Sequence, residues 1–434
     1  MRILAFGTYQ AADHPRVAVL LDGLRESGHR VVEANAPLGL ATRDRVAMLG
    51  ARSGAVRFAA RLASAWVRLV GQGLRARRGG GPDAVLVGYM GHFDVWLARL
   101  LFPRTTIVLD HLIFAATTAQ DRGFSGGFLQ RMLRLLDVAA LRIADVVVVD
   151  TEEHRLLVSE SLRAKAVVVA VGATPSWFDA ASGAADAASA VDAASGTGAA
   201  GAADPSSADA SAVDAASGPG SPSGHPEALR VVFFGLFTPL QGAETIGRAI
   251  GMLPPEAPLT VTMIGNGQDL DASRAAAEGG APVVWVPWVD AADLPGVVAR
   301  HDIGLGIFGT TSKAQKVVPN KVYQCAAAGT AVVTSDTAPQ RRAFGDAVEY
   351  VPAGDAEELA AVLLRLAADR ELLAARRAAA RAAAAQFRPG ALIAPLDAVL
   401  RARAPSRARA RARPRPRPVR CQKSSRRLPA ADDF

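Results

Sequence analysis

The chain has 434 residues, is 50% hydrophobic and 21% charged, and holds two cysteines, so it can build two ordinary cores and is not a small disulfide scaffold. Its formal charge of +8 is concentrated at one end: residues 401–434 carry 12 Lys or Arg against Asp432 and Asp433, while the first 400 residues carry 37 basic and 39 acidic side chains, a net of −2. A basic body made for nucleic acid is thereby excluded, and no specific nucleic-acid partner is expected.

No run of about 18 uncharged apolar residues occurs, so no spanning helix is expected. The start, Met1 to Gly7, is too short for the apolar stretch of a secretory signal, which points to a cytoplasmic location. Cys325 lies in an apolar stretch and Cys421 in the basic tail, an arrangement that speaks against a structural disulfide.

In chain order, RILAF from Arg2 reads as a strand ending at Gly7, and Val17, Leu20, Leu21 and Leu24 follow at helical spacing. The alternation repeats at RVVEA from Arg30, AVLVGY from Ala84, TIVLD from Thr106, DVVVVD from Asp145 and AVVVAV from Ala166. Short, fully apolar strands separated by helices predict a parallel sheet covered on both faces. Between Gly54 and Arg78, a helical stretch places Arg57, Arg61, Arg68 and Arg75 near one face, with Phe58, Leu62, Trp66 and Leu69 elsewhere. It either lies on an anionic membrane, where a lipid-linked acceptor would be met, or packs as a surface helix on its own domain.

From Asp179 to Pro226 the composition turns to Ala, Ser, Gly, Asp and Pro, without Lys or Arg, and ASAVDAASG occurs twice. Such a segment buries too little to offset its ordering entropy and reads as a disordered linker. The strand-helix alternation then resumes with VVFFG from Val231, LTVTMIG from Leu259, VVWVPW from Val283, DIGLGIF from Asp302, AVVTS from Ala331 and AVEYV from Ala347. Helices follow from Ala356, Pro389 and Gly390 interrupt them, and an Arg/Pro tail ends the chain. The expected organisation is α/β: a Rossmann-like domain over 1–178, a linker over 179–227, a second Rossmann-like domain with closing helices over 228–402, and a disordered tail over 403–434.

Two such domains place strand C-termini and helix N-termini around a cleft. A nicotinamide fingerprint is missing, because Gly7 stands alone and Gly265-Asn266-Gly267 is followed by Leu270 where a third glycine belongs. The second domain instead offers Gly235 at a strand end with Gln241 and Gly242 at the next helix start, and Gly265 to Gly267 at another turn. These either let backbone amides approach a phosphate or are simply tight turns. GIFGTTSKAQKVVPNKVYQCAAAGT adds Lys313, Lys316 and Lys321 beside a helix start at Pro319-Asn320, an electropositive setting suited to a diphosphate. In the first domain, His92 follows one strand and Asp110-His111 ends another.

In the order and spacing of FFGLFTPLQGAETI, VTMIGNGQDL, VVWVPWVDAADLP, RHDIGLGIF and PNKVYQCAAAGTAVVTSD, and in the opening RILAFGTYQAADHPRVAVLLDGLRESGHRVVE, the chain resembles the family 4 glycosyltransferases of the GT-B fold. The resemblance implies transfer of a sugar from a nucleotide-sugar, with retention, with no cofactor and no obligatory metal, and with the donor on the second domain. It implies donor contacts at Gly235, Gln241, Gly242, Gly265, Asn266, Gly267, Lys316, Asn320, Lys321 and Gln324, catalytic candidates at His92, His111 and Asp110, and Gly7 and Arg16 on the acceptor or phosphate side. The sequence departs from the family in the first phosphate loop, where Leu236 and Gln241 replace Arg and Lys, and in the Glu-x7-Glu motif, where Lys316 and Gln324 stand at the glutamates. Gln324 can hydrogen-bond a ribose diol, and Lys316 and Lys321 can restore positive charge. A nucleotide-sugar epimerase of the same fold and a non-catalytic nucleotide- or sugar-binding protein remain alternatives.

Overall fold

A computed structural model describes residues 1–10, 15–39, 52–115, 127–183 and 228–403. The expectations for the linker from 184 and for the tail from 404 concern residues outside this set. In β1 (Arg2–Gly7) Ile3 to Phe6 are all buried, as a strand covered on both faces requires. Then come α1 (Pro15–Glu26), β2 (Arg30–Asn35), α2 (Arg52–Arg78), β3 (Ala84–Val87), α3 (Asp94–Leu101), β4 (Thr106–Asp110), α4 (Gly127–Ile143), β5 (Val146–Val149), α5 (Glu152–Leu157), α6 (Glu160–Arg163) and β6 (Ala166–Val168). The six strands form one parallel sheet in the order β2-β1-β3-β4-β5-β6, with Phe6 paired to both Ala34 and Val87. A helix, α7, spans 175–183, so residues 179–183, expected to open the linker, are helical. Trp177, Phe178 and Ala181 anchor it by burial, which is what a read on small-residue composition misses.

The second sheet is built from β7 (Leu229–Phe234), α8 (Ala243–Met252), β8 (Leu259–Ile264), α9 (Leu270–Ala276), β9 (Val283–Val286), α10 (Leu294–Ala299), β10 (Ile303–Leu305), α11 (Asn320–Ala327), β11 (Ala331–Ser335), α12 (Ala338–Phe344) and β12 (Glu349–Val351). Its strands, again all parallel, run β12-β11-β10-β7-β8-β9. Strand order therefore reverses between β1 and β3 in one sheet and between β7 and β10 in the other, and in open parallel sheets ligands bind outside the strand C-termini at such points.

The closing helices α13 (Ala356–Ala368) and α14 (Arg370–Ala384) stay on the second sheet, but α15 (Pro389–Leu392) and α16 (Ala394–Arg403) cross back onto the first domain. This corrects their expected place with residues 228–402. A Cβ on Gly23 of α1 would stand 2.3 Å from the Pro389 carbonyl oxygen, so the glycine is what lets the chain pass this close. Ile393, Leu396 and Leu400 are buried, His29 Nε2 lies 2.6 Å from Asp397 Oδ1, and Arg401 donates to the Ser27 carbonyl at 2.8 Å. One apolar cluster consequently runs from Val17, Leu20 and Leu24 through Trp177 and Phe234 to Tyr323 and Ile393. Among the described residues no helix is long and apolar enough to cross a membrane.

Candidate active-site cleft

In the second domain, the turns after β7 and β8 pack backbone on backbone. Gly235 N–H donates to the Ile264 carbonyl at 3.0 Å, Gly265 N–H to the Val286 carbonyl at 2.8 Å and Phe237 N–H to the Asn266 carbonyl at 3.0 Å. Gly265 has φ +129°, and a Cβ there would stand 1.9 Å from the Gly235 oxygen. Gly267 and Gly242 are crowded in the same way, by Phe237 and Phe308 backbone, so loop-on-loop packing accounts for these glycines. Asn266 Oδ1 accepts from the Gly267 N–H at 2.7 Å, and the Gln241 carbonyl accepts from Phe308 N–H at 3.0 Å.

Gly235 differs, because the space its missing side chain leaves is taken by the end of a lysine: a Cβ would meet Lys321 Nζ at 3.3 Å. Lys321 lies in the first turn of α11 and is 5% exposed; its Nζ stands 3.6 Å from the Phe233 ring centroid and has no hydrogen-bond partner among the described residues. Burial drives its pKa well below the ordinary lysine value, with Cys325 acting weakly the other way. Gln324, three residues on and on the same helix face, is also buried. Asn320 opens the helix half-buried. Lys316 is placed differently: its Nζ donates to Ser312 Oγ at 2.8 Å, and its carbonyl accepts from Thr151 Oγ1 of the first domain at 2.8 Å. Leu236, where the family carries a cation, is 60% exposed.

In the first domain Gly7 has φ +146° at the end of β1, and a Cβ there would lie 3.1 Å from Asp94 Oδ2. Asp94 fixes this corner by accepting from Thr8 N–H at 2.7 Å, Thr8 Oγ1 at 2.8 Å and Trp66 Nε1 at 2.9 Å. The β3–α3 connection is strained at Met90, the one non-glycine residue at positive φ (59°) among the described residues. Arg16 and Asp110, expected as cleft groups, are turned to each other: Arg16 Nε donates to Asp110 Oδ1 at 2.8 Å and Nη1 to the Val169 and Ala170 carbonyls at 3.0 Å, with both side chains sealed from solvent. Burial pushes the Asp110 carboxyl up despite the guanidinium. The pair fastens α1 to β4 and to the segment after β6, which corrects the catalytic and phosphate roles expected of them. His92 and His111 do come together, with ring centroids 4.9 Å apart, around a carboxylate that sequence reasoning missed, Asp137 of α4.

Also missed were Asp150 and His154, 2.5 Å apart at the C-terminal end of β5, and Tyr323 of α11, whose phenol hydroxyl hydrogen-bonds the Val171 backbone across the domains. Burial, the largest single influence, would raise the Asp150 pKa, but His154, Arg16 and a backbone hydrogen bond together outweigh it and the net shift is downward. Further contacts join the domains: Trp177 stacks on Phe234 at 5.6 Å and 18°, and Arg342 pairs both guanidinium nitrogens with Glu153 at 3.0 Å. The strand C-termini of the two sheets thus meet, with Lys321, Gly235 and Gln324 on one side and the histidine cluster on the other.

Residues 251–390 match the family model described as glycosyl transferase-like. No curated protein matches the chain at the sequence level. Among solved structures, the chain is similar to Anabaena Alr3699/HepE in complex with UDP (TM-score 0.57, 12% identity, 92% of this chain and 99% of that one). It is also similar to the sucrose-phosphate synthase of Thermosynechococcus elongatus (0.62, 13%, 92% and 98%) and to the UDP-forming α,α-trehalose-phosphate synthase of Burkholderia xenovorans (0.57, 14%, 93% and 100%). The architecture is the two-domain GT-B fold, so the resemblance read from the sequence motifs holds at that level.

Proposed function

We propose that the chain is a retaining glycosyltransferase that takes a sugar from a nucleotide-sugar and holds the donor's diphosphate between Lys321 and the Gly235 turn. The observation that carries this is Lys321 itself, a buried side-chain amine with no hydrogen-bond partner among the described residues, at the point where strand order reverses. A buried amine without a partner is costly and resists protonation, and a diphosphate supplies both the hydrogen-bond acceptor and the charge that draws the proton onto it. The N-terminus of α11, eight residues long, adds its dipole to the same spot. Gln324 offers hydrogen bonds to a ribose diol, and the neighbouring structures solved with UDP or as UDP-forming enzymes support a uridine nucleotide.

Negative charge grows on the leaving diphosphate in the transition state, and Lys321 and the helix dipole are fixed in place to stabilise it. With retention, that leaving oxygen can take the acceptor's proton, so the chemistry does not require Asp110 as a base. No metal is required for this donor contact, because Lys321 supplies the cation.

The test is nucleotide-dependent stabilisation by UDP, GDP and TDP, with and without sugar, in the wild type and in Lys321→Met. The wild type should be stabilised by one of them and should slowly hydrolyse the matching donor. Lys321→Met, relieved of a buried amine without a partner, should unfold at a higher temperature without nucleotide and bind nucleotide about ten- to hundredfold more weakly. Unchanged nucleotide stabilisation in the variant would remove Lys321 from the site.

Exposed Leu236, in a position where the family carries a cation, favours one second reading, a nucleotide-binding protein without turnover. Saturable nucleotide binding with no donor hydrolysis and no transfer to any acceptor would select it. On the acceptor side, we infer contact with the anionic inner face of a membrane through α2, α3 and α4. Arg57, Arg61, Arg68 and Arg75 are exposed there alongside Val56, Val67, Trp96, Leu100, Phe128 and Leu135.

A further inference from the structure

We propose that His92, His111 and Asp137 form a binding site for one divalent transition-metal ion of the zinc class, inside the first domain and separate from the donor's phosphate contact. Three different elements supply the ligands: the loop after β3, the residue following β4, and the third turn of α4. One potential ligand atom from each residue lies within 4.8 Å of the others. Asp137 Oδ1 is 3.0 Å from His92 Nε2 and 3.9 Å from His111 Nε2. Tetrahedral zinc with bonds of about 2.0–2.2 Å holds its ligands roughly 3.3–3.6 Å apart, between the two distances found. Small side-chain adjustments would therefore bring all three onto one ion.

His111 provides the second, independent observation. It is 1% exposed, and neither of its ring nitrogens has a hydrogen-bond partner among the described residues. A neutral imidazole carries one donor and one acceptor, and leaving both unmet in an apolar wall is expensive. Phe114, edge-on at 4.6 Å, forms part of that wall. The residue is held in position through its main chain, since the His111 backbone N–H donates to the Val148 carbonyl at 2.8 Å, and the Asp137 carboxylate is oriented by the Ala115 backbone N–H at 3.0 Å. His154 is close by but already committed to Asp150, which leaves two imidazoles and one carboxylate, a donor set that suits zinc, cobalt or iron(II).

The full-length chain, stripped with a chelator and dialysed, would be titrated with Co²⁺ and with Zn²⁺ in the absence of nucleotide. The expected result is one equivalent of Co²⁺ per chain with the visible absorption of a low-symmetry site, displacement by Zn²⁺, and a higher unfolding temperature with either ion. His111→Gln and Asp137→Asn should lose the band and the thermal shift. A wild-type chain that takes up no stoichiometric Co²⁺ and shows no shift overturns the site, as does a folded His111→Gln variant that binds like the wild type. Because folding of the variants is not assured, the wild-type titration alone is sufficient to refute the proposal. It also leaves the donor assignment at Lys321 untouched.

Discussion

His301 is held neutral by where it sits. Nδ1–H donates to the Val297 carbonyl at 2.9 Å, Nε2 lies 3.1 Å from Thr262 Oγ1, and burial first of all, with Arg230 and Arg300 adding to it, lowers its pKa to about 4. The unfolded chain binds that proton near pH 6.5, so between about pH 6.5 and 4 the unfolded state is the more protonated one and stability falls as pH falls. At about 1.4 kcal/mol per unit, moving from pH 7 to pH 5 should cost the wild type about 2 kcal/mol that a His301→Gln variant does not lose. Urea unfolding at the two pH values checks this, and equal slopes would contradict it. Residues of this kind are hard to read from sequence. His301 stands before a strand like any capping residue, and Asp137 stands in an apolar helical run with its partner His92 45 positions away. Lys321 and Gly235 are legible because a glycine at a strand end and a lysine at a helix start each carry a local backbone reason. Arg16 and Asp110 mislead because a charged residue at a strand or helix end looks the same whether it faces a cleft or a buried partner.

The strand-helix alternation is readable from one end of the chain to the other because strands covered on both faces must be apolar at every position, and AVLV, VVVV and AVVTS leave little choice of period. Strand ends are less legible. AVLVGY is expected to run through Tyr89 but β3 stops at Val87, where the chain turns toward Met90, and the expected strand from Asp302 to Phe308 keeps only Ile303–Leu305. What sets those ends is loop packing between distant turns, and Gly265 shows its cost. Gly265→Ala must adopt φ +129° and push the Gly235 oxygen from 1.9 Å, whereas Gly279→Ala, at φ +81°, meets nothing within 4 Å. The first should destabilise the second domain by about 3 kcal/mol or more and abolish nucleotide stabilisation, the second by about 1 kcal/mol with nucleotide binding intact. Thermal unfolding of both variants with and without nucleotide separates them, and equal losses would show that strain at φ, not contact between the turns, is what matters.

At the scale of the whole molecule, the two faces of the first sheet are used differently. The α1 face is covered by α15 and α16, so Leu20, Leu24, Ile393 and Leu396 are buried together and little apolar surface is left there. On the opposite face, Phe58, Ala65 and Leu69 of α2 enter the core while Arg57, Arg61, Arg68 and Arg75 stay outside, which makes α2 a packed surface helix and leaves its outer side available. Among the described residues that outer side continues uncovered onto α3 and α4, where Trp96 is 48%, Leu100 76%, Phe128 83% and Leu135 65% exposed, with Arg131 and Arg134 between the last two. Helical periodicity reveals the arginine face of α2 but not its continuation onto α3 and α4, because that arises from three helices brought side by side by the strand order. Large exposed apolar side chains ringed by arginines match a headgroup layer, in which the rings and leucines sink while the guanidinium groups meet phosphate. Vesicles containing anionic phospholipid should therefore bind the protein, and neutral vesicles much less. A Leu100→Glu, Phe128→Glu double variant should lose most of this binding with its unfolding temperature nearly unchanged, since neither side chain packs in the core. Binding that tracks only the arginine-rich tail, surviving the double variant and vanishing when residues 404–434 are removed, would move the membrane contact off this face.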